Sequence, residues 1–178
     1  MDEVRRALTL LLLLGATGCG TFRAGEATIA QSKAIRVRLV RYYENVPFDY
    51  TGYKYDVECI APSARLRLGT STEFADYNDN SPRSLAERLR TRVTITDDDV
   101  AIWVEQWSIV FAFDGCSKVT KWWAPQDVFD VPGETIRVRD LRAGAGGAIS
   151  FVVESDRGHA LRVTSSDRGA HWHQERMK

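Results

Sequence analysis

The stretch Ile149–Trp172, ISFVVESDRGHALRVTSSDRGAHW, decides the fold. Its two runs, ISFVVES and HALRVTS, are rich in β-branched and aromatic residues, which pack well on a pleated surface. Between them lies Asp156-Arg157-Gly158, a tight turn in which glycine supplies the left-handed backbone. After the second run comes Ser165-Ser166-Asp167-Arg168-Gly169, eleven residues after the first turn. Asp167 can accept backbone N–H groups inside its own turn, and Gly169 can take a positive φ. Trp172 then enters a further strand, AHWHQ, and can pack under the hairpin.

Outward from this stretch the period of two persists. In AIRVRLVRYY, Ile35, Val37 and Leu39 point one way and Arg36 and Arg38 the other. In YKYDVEC, Tyr53, Tyr55, Val57 and Cys59 share a face opposite Lys54, Asp56 and Glu58. ARLRL, TRVTIT, VAIWVEQWSIVFAF, SKVTKWW and TIRVRDL continue the theme, separated by Asp97-Asp98-Asp99, Asp114-Gly115, prolines and the glycine-rich RAGAGGA. SPRSLAERLRTR is the exception. Ser81 is placed as N-cap, Pro82 at the first helical position, and Leu85 and Leu89 on one face. The expectation is an all-β fold of roughly ten antiparallel strands, a sandwich or partial propeller-like sheets, with one short α-helix near 82–91.

The octet Ser165-x-Asp167-x-Gly169-x-x-Trp172 resembles the Asp-box of sialidase-type propellers at every fixed position. The resemblance covers about Ile149–Gln174 and implies a structural hairpin. VFAFDGCSKVTKWW looks like a degenerate second copy, with Asp114-Gly115 as its turn and Trp122 as its packing residue. The chain is short for a full propeller, which usually needs four or more four-stranded blades.

The N-terminus, MDEVRRALTLLLLLGATGCG, has Arg5 and Arg6, a leucine-rich run and then small residues. The run is too short to span a bilayer. ATGC resembles the lipobox of bacterial lipoproteins, on Gly18 and Cys19, with Ala16 where that family prefers leucine. The resemblance implies that residues 1–18 are removed and that Cys19 carries acyl chains such as palmitate. It also implies anchoring at the periplasmic face of the outer membrane, since Gly20 stands where the inner-membrane retention signal has aspartate. A plain signal peptide cleaved nearby is the alternative. Residues 19–32 read as lipidated cysteine and tether, and 33–178 as a single β-rich domain.

Besides Cys19 the chain has two cysteines, Cys59 and Cys116. In an oxidising compartment they most simply form one disulfide, two buried free thiols being the alternative. Lys and Arg number 24, matched by 24 Asp and Glu, so no basic excess points to nucleic acid. Asp76, Asn78, Asn80 and Glu87 have calcium-loop spacing, but Ser81 stands where such loops need glycine, and a capped loop before a helix explains them. His159, His171 and His173 lack a placed acidic or cysteine partner, so no metal is expected, nor any other cofactor. No nucleophile elbow or phosphate-cradling glycine loop occurs, so no catalytic residue is assigned.

These readings converge on a lipid-anchored protein that binds another protein without catalysis. Its build resembles the immunity lipoproteins of type VI secretion lipase effectors, which implies a secreted lipase as partner. An envelope assembly lipoprotein or glycan-binding module is the alternative. Tyr42, Tyr43, Phe48, Tyr50, Trp103 and Trp107 are the candidate partner-binding aromatics, because Trp and Tyr dominate binding energy at protein interfaces.

Overall fold

The computed structural model describes residues 20–46, 50–71, 81–105, 107–129 and 136–177. Cys19, Phe48 and the calcium-like Asp76, Asn78 and Asn80 lie outside them.

Among the described residues, twelve strands form three four-stranded antiparallel sheets, each a meander in chain order. Sheet A holds β1 (Gly20–Gln31), β2 (Arg36–Val46), β3 (Tyr50–Ala61) and β4 (Ala64–Ser71). Sheet B holds β5 (Val93–Ile95), β6 (Ala101–Val104), β7 (Ser108–Phe113) and β8 (Lys118–Trp123). Sheet C holds β9 (Ile136–Ala143), β10 (Ile149–Ser155), β11 (Ala160–Ser165) and β12 (His173–Arg176). Helix α1 (Pro82–Leu89) joins A to B, and a one-turn helix, α2 (Gln126–Phe129), follows β8. The fold is all-β, as expected, but a two-sheet sandwich is not what forms.

Sheet B is the middle layer. All six residues of β7 are buried, which an alternating strand achieves only with a core on each side. Val110 and Ala112 enter a first core with Ile29, Val37, Leu39, Tyr55 and Val57 of sheet A and Leu85 and Leu89 of α1. Ile109, Phe111 and Phe113 enter a second core with Ile149, Phe151, Val153, Leu161 and Val163 of sheet C. Successive meanders stacked face to face are arranged like consecutive propeller blades.

Local chemistry explains α1. The Ser81 hydroxyl accepts the Ser84 N–H at 3.2 Å, Pro82 occupies the first turn, and Leu85, Ala86 and Leu89 are buried. The helix ends in a 3₁₀ turn, Arg90–Arg92.

One expectation is corrected here. Residues 20–31, read as a tether, form β1, paired with β2 along its length. The strand escaped notice because its register shifts between Arg23 and Gly25 and again between Thr28 and Ala30. Each irregularity flips the side-chain parity, so no period of two survives in the sequence. On β2, Arg41 lies on the opposite face from Arg36 and Arg38. It pairs with Tyr55 on the core-facing side, its guanidinium 4.0 Å above the Tyr53 ring.

The outer face of sheet A holds acidic groups out of water. Glu58 is only 4 % exposed, and a carboxylate so buried needs charged partners. Arg38 Nε donates to it at 3.0 Å, and Arg65 closes a second ion pair. Asp56 accepts from the Thr70 hydroxyl at 2.8 Å.

Candidate functional site

The Ser165–Trp172 octet is the turn between the third and fourth strands of sheet C. The Ser165 hydroxyl accepts the Gly169 N–H at 2.8 Å and donates to Asp167 Oδ1 at 2.7 Å. Asp167 Oδ1 also accepts the His171 N–H at 3.0 Å, and Oδ2 lies 2.6 Å from His171 Nδ1. Gly169 has φ +77°, and a Cβ there would lie 2.5 Å from Trp172 Cζ2. Only glycine meets both demands. Trp172 packs on Phe111 and Phe151, with ring centroids 5.9 and 6.1 Å away.

The turn also fastens sheet C to sheet B. Arg168 Nη1 lies 2.7 Å from Asp114 Oδ2 and Nη2 donates to the Ala145 carbonyl at 3.0 Å. The Thr120 hydroxyl of β8 donates to the Gly169 carbonyl at 3.3 Å. Asp114 opens the β7–β8 turn, which holds the same place in sheet B that the octet holds in sheet C. Trp122, just beyond, is buried edge-on to Phe151, centroids 5.1 Å apart. Lys118, then Arg168, hold the Asp114 carboxyl below its ordinary value.

The Asp167 carboxyl sits far below the usual aspartate range. The His171 backbone N–H contributes most, then the His171 ring and the Ser165 hydroxyl. A carboxylate with a depressed folded-state pKa stabilises the fold above its unfolded value of about 4, and this is lost as pH falls. We expect Asp167→Asn to be the less stable form at neutral pH. Its deficit should shrink as pH is lowered below about 4. Urea midpoints of both proteins across that range check it, and parallel pH profiles would sink it.

Cys59 and Cys116 are joined in a disulfide, Cα atoms 5.5 Å apart. Cys59 lies on β3 and Cys116 in the β7–β8 turn, so the bond staples sheet A to sheet B. Both residues are buried.

The six aromatics expected at an interface have different fates. Trp103 is 4 % exposed and belongs to the first core. Its place on β6, opposite Val93 and Val110, turns it inward, so it cannot serve as an exposed anchor. Trp107 is half-buried against the second core. Tyr42 is half-buried on the outer face, its hydroxyl 3.4 Å from Glu58 Oε1. Tyr43 is half-buried and edge-on to Tyr53 at 5.5 Å. Tyr50 opens β3.

An exposed aromatic edge lies elsewhere. Trp123 is 62 % exposed and Val119 50 % exposed. With Lys121 they line one face of β8, an edge strand of sheet B. Lys121 Nζ sits 4.0 Å above the Trp123 ring and 2.7 Å from Glu105 Oε2. Glu105 also receives the Ser108 hydroxyl and, at 3.3 Å, the Trp103 Nε1–H. Burial pushes this carboxyl up, but Lys121, Ser108 and Trp103 outweigh it and hold it below its ordinary value. Gly69 of β4 abuts this group: a Cβ there would lie 2.7 Å from Glu105 Oε1. The edge therefore presents an exposed indole with an ion-paired ammonium over its ring. Sequence carried one signal for it. Trp122 and Trp123 are neighbours on a strand and point to opposite faces, and with Trp122 in the second core it is the edge position of β8 that leaves Trp123 exposed.

Among the described residues no group of three metal-ligating side chains gathers, and no helix is long and apolar enough to cross a membrane. No family model, curated protein or solved structure matches the chain.

Proposed function

We propose that this chain is an exported protein, lipid-anchored at Cys19 on the periplasmic face of the outer membrane, that captures another protein without catalysis. The observation that carries the reading is Trp123, a largely exposed indole on an edge strand, braced by Lys121 and flanked by Val119. A rigid, pre-ordered aromatic loses little conformational entropy on binding, which is why tryptophan dominates interface energetics. The disulfide between Cys59 and Cys116 suits an oxidising compartment. The partner class follows from the sequence resemblance to immunity lipoproteins: a secreted lipase whose activity is blocked on binding.

A photo-crosslinking residue at position 123, in cells that make the protein, tests this. Position 162, exposed on β11, is the control. The proposal stands if one secreted hydrolase crosslinks from 123 and loses activity when the protein is added. It fails if nothing crosslinks from 123 beyond what crosslinks from 162.

A further inference from the structure

The start of β1 bears on how the protein sits on its membrane. Pairing with β2 begins at Gly20, the residue directly after Cys19, which lies opposite Asn45. If Cys19 is lipidated, no slack chain separates the acyl anchor from the sheet. Two residues into β1, Phe22 pairs with Tyr43, and Tyr43 pairs with Tyr53. Partners in register share a face, so the three rings form one row across three strands.

Tyr53 packs against the first core, and the row runs outward from it to Phe22, where sheet A outruns its cover. The strands β1, β2 and β3 have 12, 11 and 12 residues, against 3 to 6 in sheet B. The first core takes the part of sheet A around Ile29, Val37, Leu39 and Val57, away from Gly20. Pro82, at the start of α1, abuts Gly25, 3.0 Å from where a Cβ would stand. Phe22 lies beyond it, toward the anchor, and is 62 % exposed. Tyr43 and Tyr53 behind it are half-buried.

We infer that this end of sheet A docks directly on the phospholipid bilayer, with Phe22 entering the headgroup region and Tyr43 and Tyr53 behind it. The inference rests on the lipidation of Cys19 proposed above. Three residues of extended chain from Cys19 to Phe22 span about 10 Å at most, so a strand leaning toward the bilayer brings the Phe22 ring to its surface. The polar layer on each side of the hydrocarbon is roughly 5–7 Å deep. Aromatic side chains favour that layer. Lys54 pairs with Glu44 at 3.5 Å, and Arg23 pairs with Glu26, while the Arg41 guanidinium lies 4.0 Å over the Tyr53 ring on the same face as the row. Aromatic rings with a neighbouring cation suit the headgroup layer of a bilayer that carries anionic lipid.

The test uses the full chain carrying Phe22→Trp, an aromatic exchange at an exposed position. It is purified in detergent and reconstituted into phosphatidylethanolamine–phosphatidylglycerol vesicles, with or without brominated acyl chains. The unsubstituted chain in the same vesicles gives the native tryptophan background. We expect the emission added by position 22 to be lost in brominated vesicles. If it persists while the intact mass shows an acylated Cys19, the docking is wrong and lipidation survives. If the mass shows no acyl chain, lipidation fails and takes the docking with it.

Discussion

Replacing Phe111 with alanine should destabilise the protein by about 3–5 kcal/mol, the range for removing a fully buried phenyl ring. Phe111 is 0 % exposed. Its ring lies 6.5 Å from Phe113, 5.9 Å from Phe151 and 5.9 Å from Trp172. It is thus where the middle sheet, sheet C and the octet turn meet. Little can collapse into the space, because the neighbours are rings on two strands, β7 and β10, and in the turn held by Ser165 and Asp167. Part of the loss is transfer energy and part is the cavity left behind. Urea unfolding of the variant checks the magnitude. Val119→Ala, at an exposed position on the same sheet, should change stability by only about 0.5 kcal/mol. Equal effects from the two would contradict the layered arrangement.

Loss of the disulfide should be nearly as severe. Cys59 and Cys116 are 57 residues apart, and closing a loop of that length restricts the unfolded chain by about 4 kcal/mol on the chain-entropy argument. The bond is a tie between sheet A and the β7–β8 turn, so its effect falls on the junction of the first two layers. We expect the double variant Cys59→Ala, Cys116→Ala to lose about 4 kcal/mol, a fall of roughly 10 °C in Tm for a chain of this size. Since a domain has only about 5–15 kcal/mol in total, the variant should be folded but fragile. A Tm unchanged by the double substitution would show that the two layers need no tie.

The all-β class was legible because a period of two is written directly in stretches such as YKYDVEC, where Tyr55, Val57 and Cys59 all enter the first core. The α1 boundaries were legible for a different reason: Ser81 and Pro82 are local devices that act regardless of the rest of the fold. The division into three meanders was not. It depends on which strands pair, and β5, at three residues, carries too little pattern to mark a sheet's beginning. β1 was hidden by its two register shifts, and with it went Phe22 and the closeness of Cys19 to the sheet.

The candidate site was legible in its turn and not in its surface. Ser165, Asp167 and Gly169 act on one another within five residues, so sequence spacing suffices to place them. Burial of an indole depends on distant neighbours. Trp103 and Trp123 are indistinguishable by composition, yet one faces sheet A at the centre of sheet B and the other stands on its edge strand. Tryptophan density therefore located the region of the edge without selecting the residue.

On the function proposed above, the protein holds its partner through the edge of β8. The most direct test is the affinity of Trp123→Ala for the protein crosslinked at that position, taken alongside the variant's Tm. A central tryptophan anchor contributes about 2 kcal/mol or more, so Kd should rise about 30-fold or more. The Tm should stay within about 2 °C of the unsubstituted protein, as for a surface change. An unchanged Kd with an unchanged Tm would contradict the account and leave Trp123 as an exposed side chain with no part in binding.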